Sequence, residues 1–76
     1  MPYTRQLLRH LRRAIGRNMH EFRLKKRMTL ERLSQTTGVP CNRLDQYEMG
    51  KNEVCLTHLV QIACALDVDL AAFFKV

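Results

Sequence analysis

Some groupings of side chains in this chain have the types and spacings that chemistry needs. Cys55-x-x-His58 with Cys64 offers thiol and imidazole donors of the kind that hold zinc. A fourth ligand at a matching spacing is missing, and positions 55, 58 and 64 of a helix do not converge on one point, so no metal is expected. His10, His20 and His58 have no carboxylate or serine arranged as a partner, and no catalytic residues, enzyme activity or cofactor are expected. Cys41, Asn42, Arg43 and Gln46 suit a different task. Asn42 and Gln46 lie one helical turn apart, and both amides can pair bidentately with adenine N6 and N7. Arg43 can reach phosphate or guanine, and Cys41 can pack against a base edge. A thiolate at Cys41, near a helix start, would also be stabilised there. A small side chain in a readout position is the simpler account.

The stretch that must position these residues is Met28 to Gly50, MTLERLSQTTGVPCNRLDQYEMG. It predicts two short helices joined by a tight turn. Thr29 can cap the first, its hydroxyl accepting from an orphan N–H of the opening turn. Gly38 can supply the left-handed residue that ends it, and Val39 can plug the gap between the helices. Pro40 suits the first turn of the second helix, where a missing N–H costs nothing. Leu44 and Tyr47 give that helix a narrow buried stripe, Cys41, Asn42, Arg43, Gln46 and Met49 point elsewhere, and Gly50 stops it.

Upstream, residues 4–26 form a basic amphipathic segment in which Leu7, Leu8, Leu11, Ile15, Met19 and Phe22 recur at helical spacing. Thr4 can cap it, Tyr3 and Leu8 stand at the spacing of a hydrophobic staple, and Gly16 weakens it by roughly 1 kcal/mol relative to Ala. Downstream, Lys51-Asn52-Glu53-Val54 is a polar connection. A fourth helix then runs from Cys55 to Leu66 with Leu56, Leu59, Ile62, Ala63 and Leu66 inward. Asp69 can cap a last helix from Leu70 to Phe74. No segment alternates with strand period, so the class is all-α.

Seventy-six residues with 46% apolar side chains make one small domain with a modest core. Three cysteines, no signal peptide and no long apolar run point to a reduced, cytoplasmic protein. The net charge of +6 is divided unevenly: residues 1–32 carry +8 and residues 33–76 carry −2. A basic pole on a small domain is the footprint of a polyanion binder.

From Ile15 to Phe74, 60 of the 76 residues, the chain resembles the helix-turn-helix domain of the phage repressor and Cro type, also called the xenobiotic response element family. The matching residues are Ile15-Gly16 and Met19-x-x-Phe22-Arg23, then Met28-Thr29-x-x-x-Leu33 and Gly38-Val39. They continue with Leu44-x-x-Tyr47-Glu48-x-Gly50-Lys51, Leu56-x-x-Leu59 and Ile62-Ala63-x-Ala65-Leu66-x-Val68-x-Leu70-x-x-Phe73-Phe74. The resemblance implies a five-helix, lambda-repressor-like DNA-binding domain over residues 15–76; it says nothing of residues 1–14, which the spacing makes a basic amphipathic helical extension. It implies that Arg23 and Glu48 pair across the first and third helices, which leaves Asp45 and Glu48 no acid–base dyad. It implies base contacts from the recognition helix, residues 40–49, and phosphate contacts from Lys51 and Asn52; Arg17 and Thr29 are expected to join them, the helix N-terminus at Thr29 offering N–H groups to a phosphate. The chain departs from the family's usual residues at Leu30 (Gln, which often touches phosphate), Ser34 (Ala), Val54 (Pro) and Asp67 (Gly). Glu53 carries the wrong charge for a phosphate contact.

The implied function is a sequence-specific regulator, a repressor or autoregulator, binding double-stranded DNA as a homodimer on a two-fold operator. Leu7, Leu11, Phe74 and Val76 form an apolar surplus, expected to meet in the dimer interface; the alternative is an extension folded back on its own subunit. A membrane-surface role for residues 4–26 is not expected, since the segment has no Trp, and no small-molecule ligand is evident. The competing class is a protein-interaction or RNA-binding module on the same scaffold. RNA readers stack bases on exposed aromatics, and most of the five aromatics here fall at core or staple positions.

Overall fold

The structure, a computed structural model, describes residues 4–76. The staple expected of Tyr3 lies outside the described residues. Four α-helices follow one another: α1, Arg5–Lys25; α2, Leu30–Thr37; α3, Cys41–Glu48; and α4, Leu56–Leu66. The five-residue segment Leu70–Phe74, expected as a fifth helix, is a 3-10 turn, with Ala72 N–H donating to Asp69 O at 2.9 Å. A run of five residues spans little more than one α-turn, and the tighter i→i+3 pattern is what such pieces adopt. The Asp69 side chain makes no capping bond there, contrary to its expected role.

Local signals set most boundaries. Thr4 accepts from Leu7 N–H at 3.1 Å and Thr29 from Arg32 N–H at 3.0 Å, so each caps its helix through its hydroxyl. Gly38 (φ 81°) and Gly50 (φ 71°) take the left-handed conformation that ends α2 and α3. Pro40 stands one position earlier than expected, as the residue flanking α3, its carbonyl accepting from Leu44 N–H at 3.0 Å. Asp67 adopts the left-handed conformation (φ 55°, ψ 47°) after α4. Arg27 does the same after α1 (φ 56°), a stop that no glycine announces. There Met28 N–H donates to Arg23 O and Arg27 N–H to Leu24 O, pairing carbonyls left over at the helix end.

The core gathers Met19, Leu33, Val39, Leu44, Tyr47, Leu59, Ile62, Ala63, Leu66 and Phe73, one or more from each element. Leu56 does not join it: this first residue of α4 is 68% exposed, because the helix turns its Leu59–Ile62–Leu66 stripe inward and begins beyond the edge of the core. Phe22 meets Phe73 edge to face at 5.8 Å, and Asn18 Nδ2 donates to the carbonyls of Phe73 (2.8 Å) and Lys75 (2.7 Å). The C-terminal segment is therefore clamped to the middle of α1. The first three turns of α1 run on past this clamp. The 39 Å long dimension of the molecule reflects that rod of about 32 Å. The boundary expected at residue 14 falls inside this one unbroken helix. Among the described residues, no helix is long and apolar enough to cross a membrane.

Candidate nucleic-acid interface

Two contacts fix where α3 sits. The first is the Arg23–Glu48 pair implied by the resemblance. Arg23 Nε donates to Glu48 Oε2 at 2.7 Å and Nη2 to Oε1 at 3.1 Å, a bidentate fork with both side chains nearly buried. The remaining guanidinium nitrogen, Nη1, donates to Met28 O at 2.8 Å. One side chain thus ties α1 to α3 and to the turn before α2. The hydrogen bond that Arg23 donates to Glu48 raises the Arg23 pKa above its ordinary value, against the opposing effect of burial. The second contact is a close approach at Gly16. A Cβ built there would lie 2.3 Å from Tyr47 O and 2.7 Å from Glu48 O, so only glycine lets the last turn of α3 settle on α1. The sequence shows this residue only as a weak point in a helix; its packing role comes from a partner 31 positions away.

Two histidines have partners that sequence spacing does not reveal. His20 Nδ1 lies 2.8 Å from Glu48 Oε1, adding a third group to the Arg23–Glu48 fork. His58 Nδ1 and Tyr47 Oη share a hydrogen bond of 2.7 Å, joining α4 to α3. The Glu48 carboxylate corrects the expectation that His20 has no such partner, whereas the partner of His58 is a phenol, neither carboxylate nor serine. Burial pushes the Tyr47 phenol above its ordinary pKa.

With Leu44 and Tyr47 buried beneath it, α3 turns Asn42 and Arg43 fully outward and keeps Cys41 and Gln46 half-exposed. Gln46 Oε1 accepts from Asn52 Nδ2 at 2.6 Å. A candidate base reader and a candidate phosphate contact are therefore coupled. The bond holds the Gln46 amide in one orientation while leaving its NH2 donors and a second carbonyl lone pair for a base. Met49, 55% exposed at the end of the same helix, carries no polar signal in the sequence, yet an apolar side chain there suits a thymine methyl.

The candidate phosphate contacts surround α3. Thr29 is exposed at the N-terminus of α2, and Lys51 is exposed just after Gly50. Arg17 is exposed on α1 between Arg13, which abuts Gly50, and His20, which bonds Glu48. Glu53, the acid of that loop, lies 3.8 Å from Arg12 Nη1. The candidate interface residues Leu7, Phe74 and Val76 are 38%, 45% and 78% exposed, and Leu11 is half-buried.

A family model described as helix-turn-helix matches residues 19–73. HTH-type transcriptional regulators of Rickettsia conorii and Rickettsia prowazekii are each 33% identical over 61 residues, which is 80% of this chain. Those matches cover 49% and 47% of the two relatives, so the chain spans about half the length of the curated relatives it matches. Among solved structures, the restriction-modification controller protein C.AhdI from Aeromonas hydrophila superposes with a TM-score of 0.79 at 25% identity, covering 83% of this chain and 96% of that one. The clp gene regulator ClgR from Corynebacterium glutamicum gives a TM-score of 0.80 at 32% identity, covering 83% and 67%.

Proposed function

Since the chain belongs to the helix-turn-helix family, we propose that it is a sequence-specific DNA-binding regulator of transcription that works by occupying its site and not by catalysis. The observation that carries this reading is a short helix presenting Asn42, Arg43 and Gln46 outward, held by a buried Arg23–Glu48 fork. A base-reading helix must keep its orientation to within a fraction of an ångström for bidentate contacts, and the fork with Gly16 supplies that rigidity. Cys41, Asn42, Arg43 and Gln46 contact bases. Arg17, Thr29, Lys51 and Asn52 contact phosphates, the N–H groups at the start of α2 adding their partial positive charge.

The acting species is a homodimer in the cytoplasm, acting as a repressor or autoregulator on a palindromic operator. Its interface is built from Leu7, Leu11, Phe74 and Val76 of each subunit, apolar side chains that the monomer leaves wholly or partly open. Two recognition helices about 34–36 Å apart then meet successive turns of one DNA face.

The test is a mobility-shift titration on the DNA preceding the protein's own coding region, with a random duplex beside it. Gln46→Ala should cost about 1–3 kcal/mol on the operator and little on the random duplex. Equal loss on both would remove Gln46 from base reading.

A further inference from the structure

The first two turns of α1 lie upstream of the segment matched by the family model and outside the DNA contacts proposed above. There, Arg5, Leu8, Arg9 and Arg12 line a cleft of about 280 Å³ whose far wall is Glu53, in the loop after α3. The three arginines stand at i, i+4 and i+7, one face of one helix. Arg12 Nε is buried and has no hydrogen-bond partner among the described residues. Its neighbour Glu53 is too far, at 3.8 Å from Nη1, to accept a hydrogen bond. Three guanidinium groups against one distant carboxylate leave the cleft with about two uncompensated positive charges by formal count. Three arginines on one helix face, with a single acid opposite them, offer an anion more positive charge than the cleft itself answers.

We propose that this cleft is a second phosphate-binding site, in which Arg5, Arg9 and Arg12 grip the DNA backbone beyond the stretch faced by α3. The position favours a polymer's phosphates over a single small anion. Gly50 abuts Arg13, so the loop bearing Lys51 and Asn52 lies directly against α1 at the downstream side of the cleft. Arginines then continue along α1 from Arg5 to Arg17, about 18 Å at 1.5 Å per residue, long enough to meet consecutive phosphates of one strand. A lone phosphate fills one end of such a row, whereas a backbone follows it. The inference rests on the DNA-binding reading and extends its footprint.

The experiment titrates the intact chain with a duplex of arbitrary sequence across a range of salt, because a phosphate contact is indifferent to base sequence. Three variants accompany it: R5Q/R9Q/R12Q, in which glutamine keeps helix propensity, E53Q, and K51A. Circular dichroism melts check that each remains folded. Every phosphate that a variant no longer neutralises should flatten the slope of log K against log salt by about 0.9, so the triple variant's slope should fall by about 2 to 3. Removing the acid in E53Q, which leaves the arginine helix untouched, should tighten binding at low salt. An unchanged slope in the triple variant, with K51A still weakening binding, overturns the second site and leaves the DNA reading standing. No duplex binding by the intact chain overturns both. Two further arms address other occupants. If the triple variant loses only its attachment to vesicles of phosphatidylcholine and phosphatidylserine, the cleft meets membrane instead. If inorganic phosphate moves the Arg12 Nε resonance while the DNA slope is unaffected, the cleft takes a free anion.

Discussion

Gly16 sets how near α1 and α3 can come. Helix propensity alone says that alanine at this position stabilises by about 1 kcal/mol. The structure says the reverse, because the new methyl would meet backbone oxygens of α3 at 2.3 and 2.7 Å, and backbone cannot step aside as a side chain can. Overpacking of this kind costs about 1–3 kcal/mol, so Gly16→Ala should lower the urea midpoint and, by lifting α3, weaken DNA binding. A higher midpoint would mean that the helices separate at no cost. Tyr47 gives a second prediction at this scale. Burial raises its pKa above 10.0, so the neutral phenol is favoured in the folded state. The corresponding stability is fully present below pH 10.0 and is lost as pH rises through the raised value. Denaturation on either side of pH 10.0 should show this loss in the intact protein and a flatter profile in Tyr47→Phe.

At the scale of elements, the helix starts and stops carried by side-chain chemistry were legible in the sequence. Thr4, Thr29, Gly38 and Gly50 each act at the position their residue type implies. The stop of α1 was not, since Arg27 occupies a left-handed conformation that its side chain does not favour. What holds it there is tertiary: Arg23 reaches Met28 O, and Met28 packs against the core. The same limit explains His20, Leu56 and the role of Gly16, each decided by a distant neighbour. In the candidate interface, the outward-facing residues of α3 followed from period alone, whereas the Gln46–Asn52 bond depends on how the loop folds back. A non-glycine residue in the left-handed region is strained by about 1–2 kcal/mol, partly offset by the greater freedom of glycine in the unfolded chain. Arg27→Gly should therefore stabilise by about 0.5–1 kcal/mol, read as a higher urea midpoint. No gain would show that the turn is relaxed with arginine in place.

The whole molecule is a basic rod with a small core attached to its lower half. Its long dimension of 39 Å against 22 and 19 Å comes from the part of α1 that runs past the clamp at Asn18. Leu7 and Leu8 on that projection, with Phe74 and Val76 at the chain's end, are more apolar surface than a small monomer ordinarily leaves in water. In sedimentation at micromolar concentration the intact chain should run as a dimer, and a chain lacking residues 1–12 as a monomer. Monomers in both cases would sink the interface and favour an extension that serves its own subunit alone.

The Arg23–Glu48 fork also bears on how such a sequence can drift. Losing Arg23 leaves the nearly buried Glu48 with only the His20 imidazole, and losing Glu48 leaves Arg23 without its counter-charge, at about 3–5 kcal/mol, a large share of what a domain of 76 residues has to spare. Single steps away from the pair lead through chains that scarcely fold, so the pair should persist through long divergence. Asn42 and Arg43, a few residues away, have no such anchor in the core. Descendants of this chain can thus acquire new target sequences by substitutions on the outer face of α3 while the inner face stays as it is.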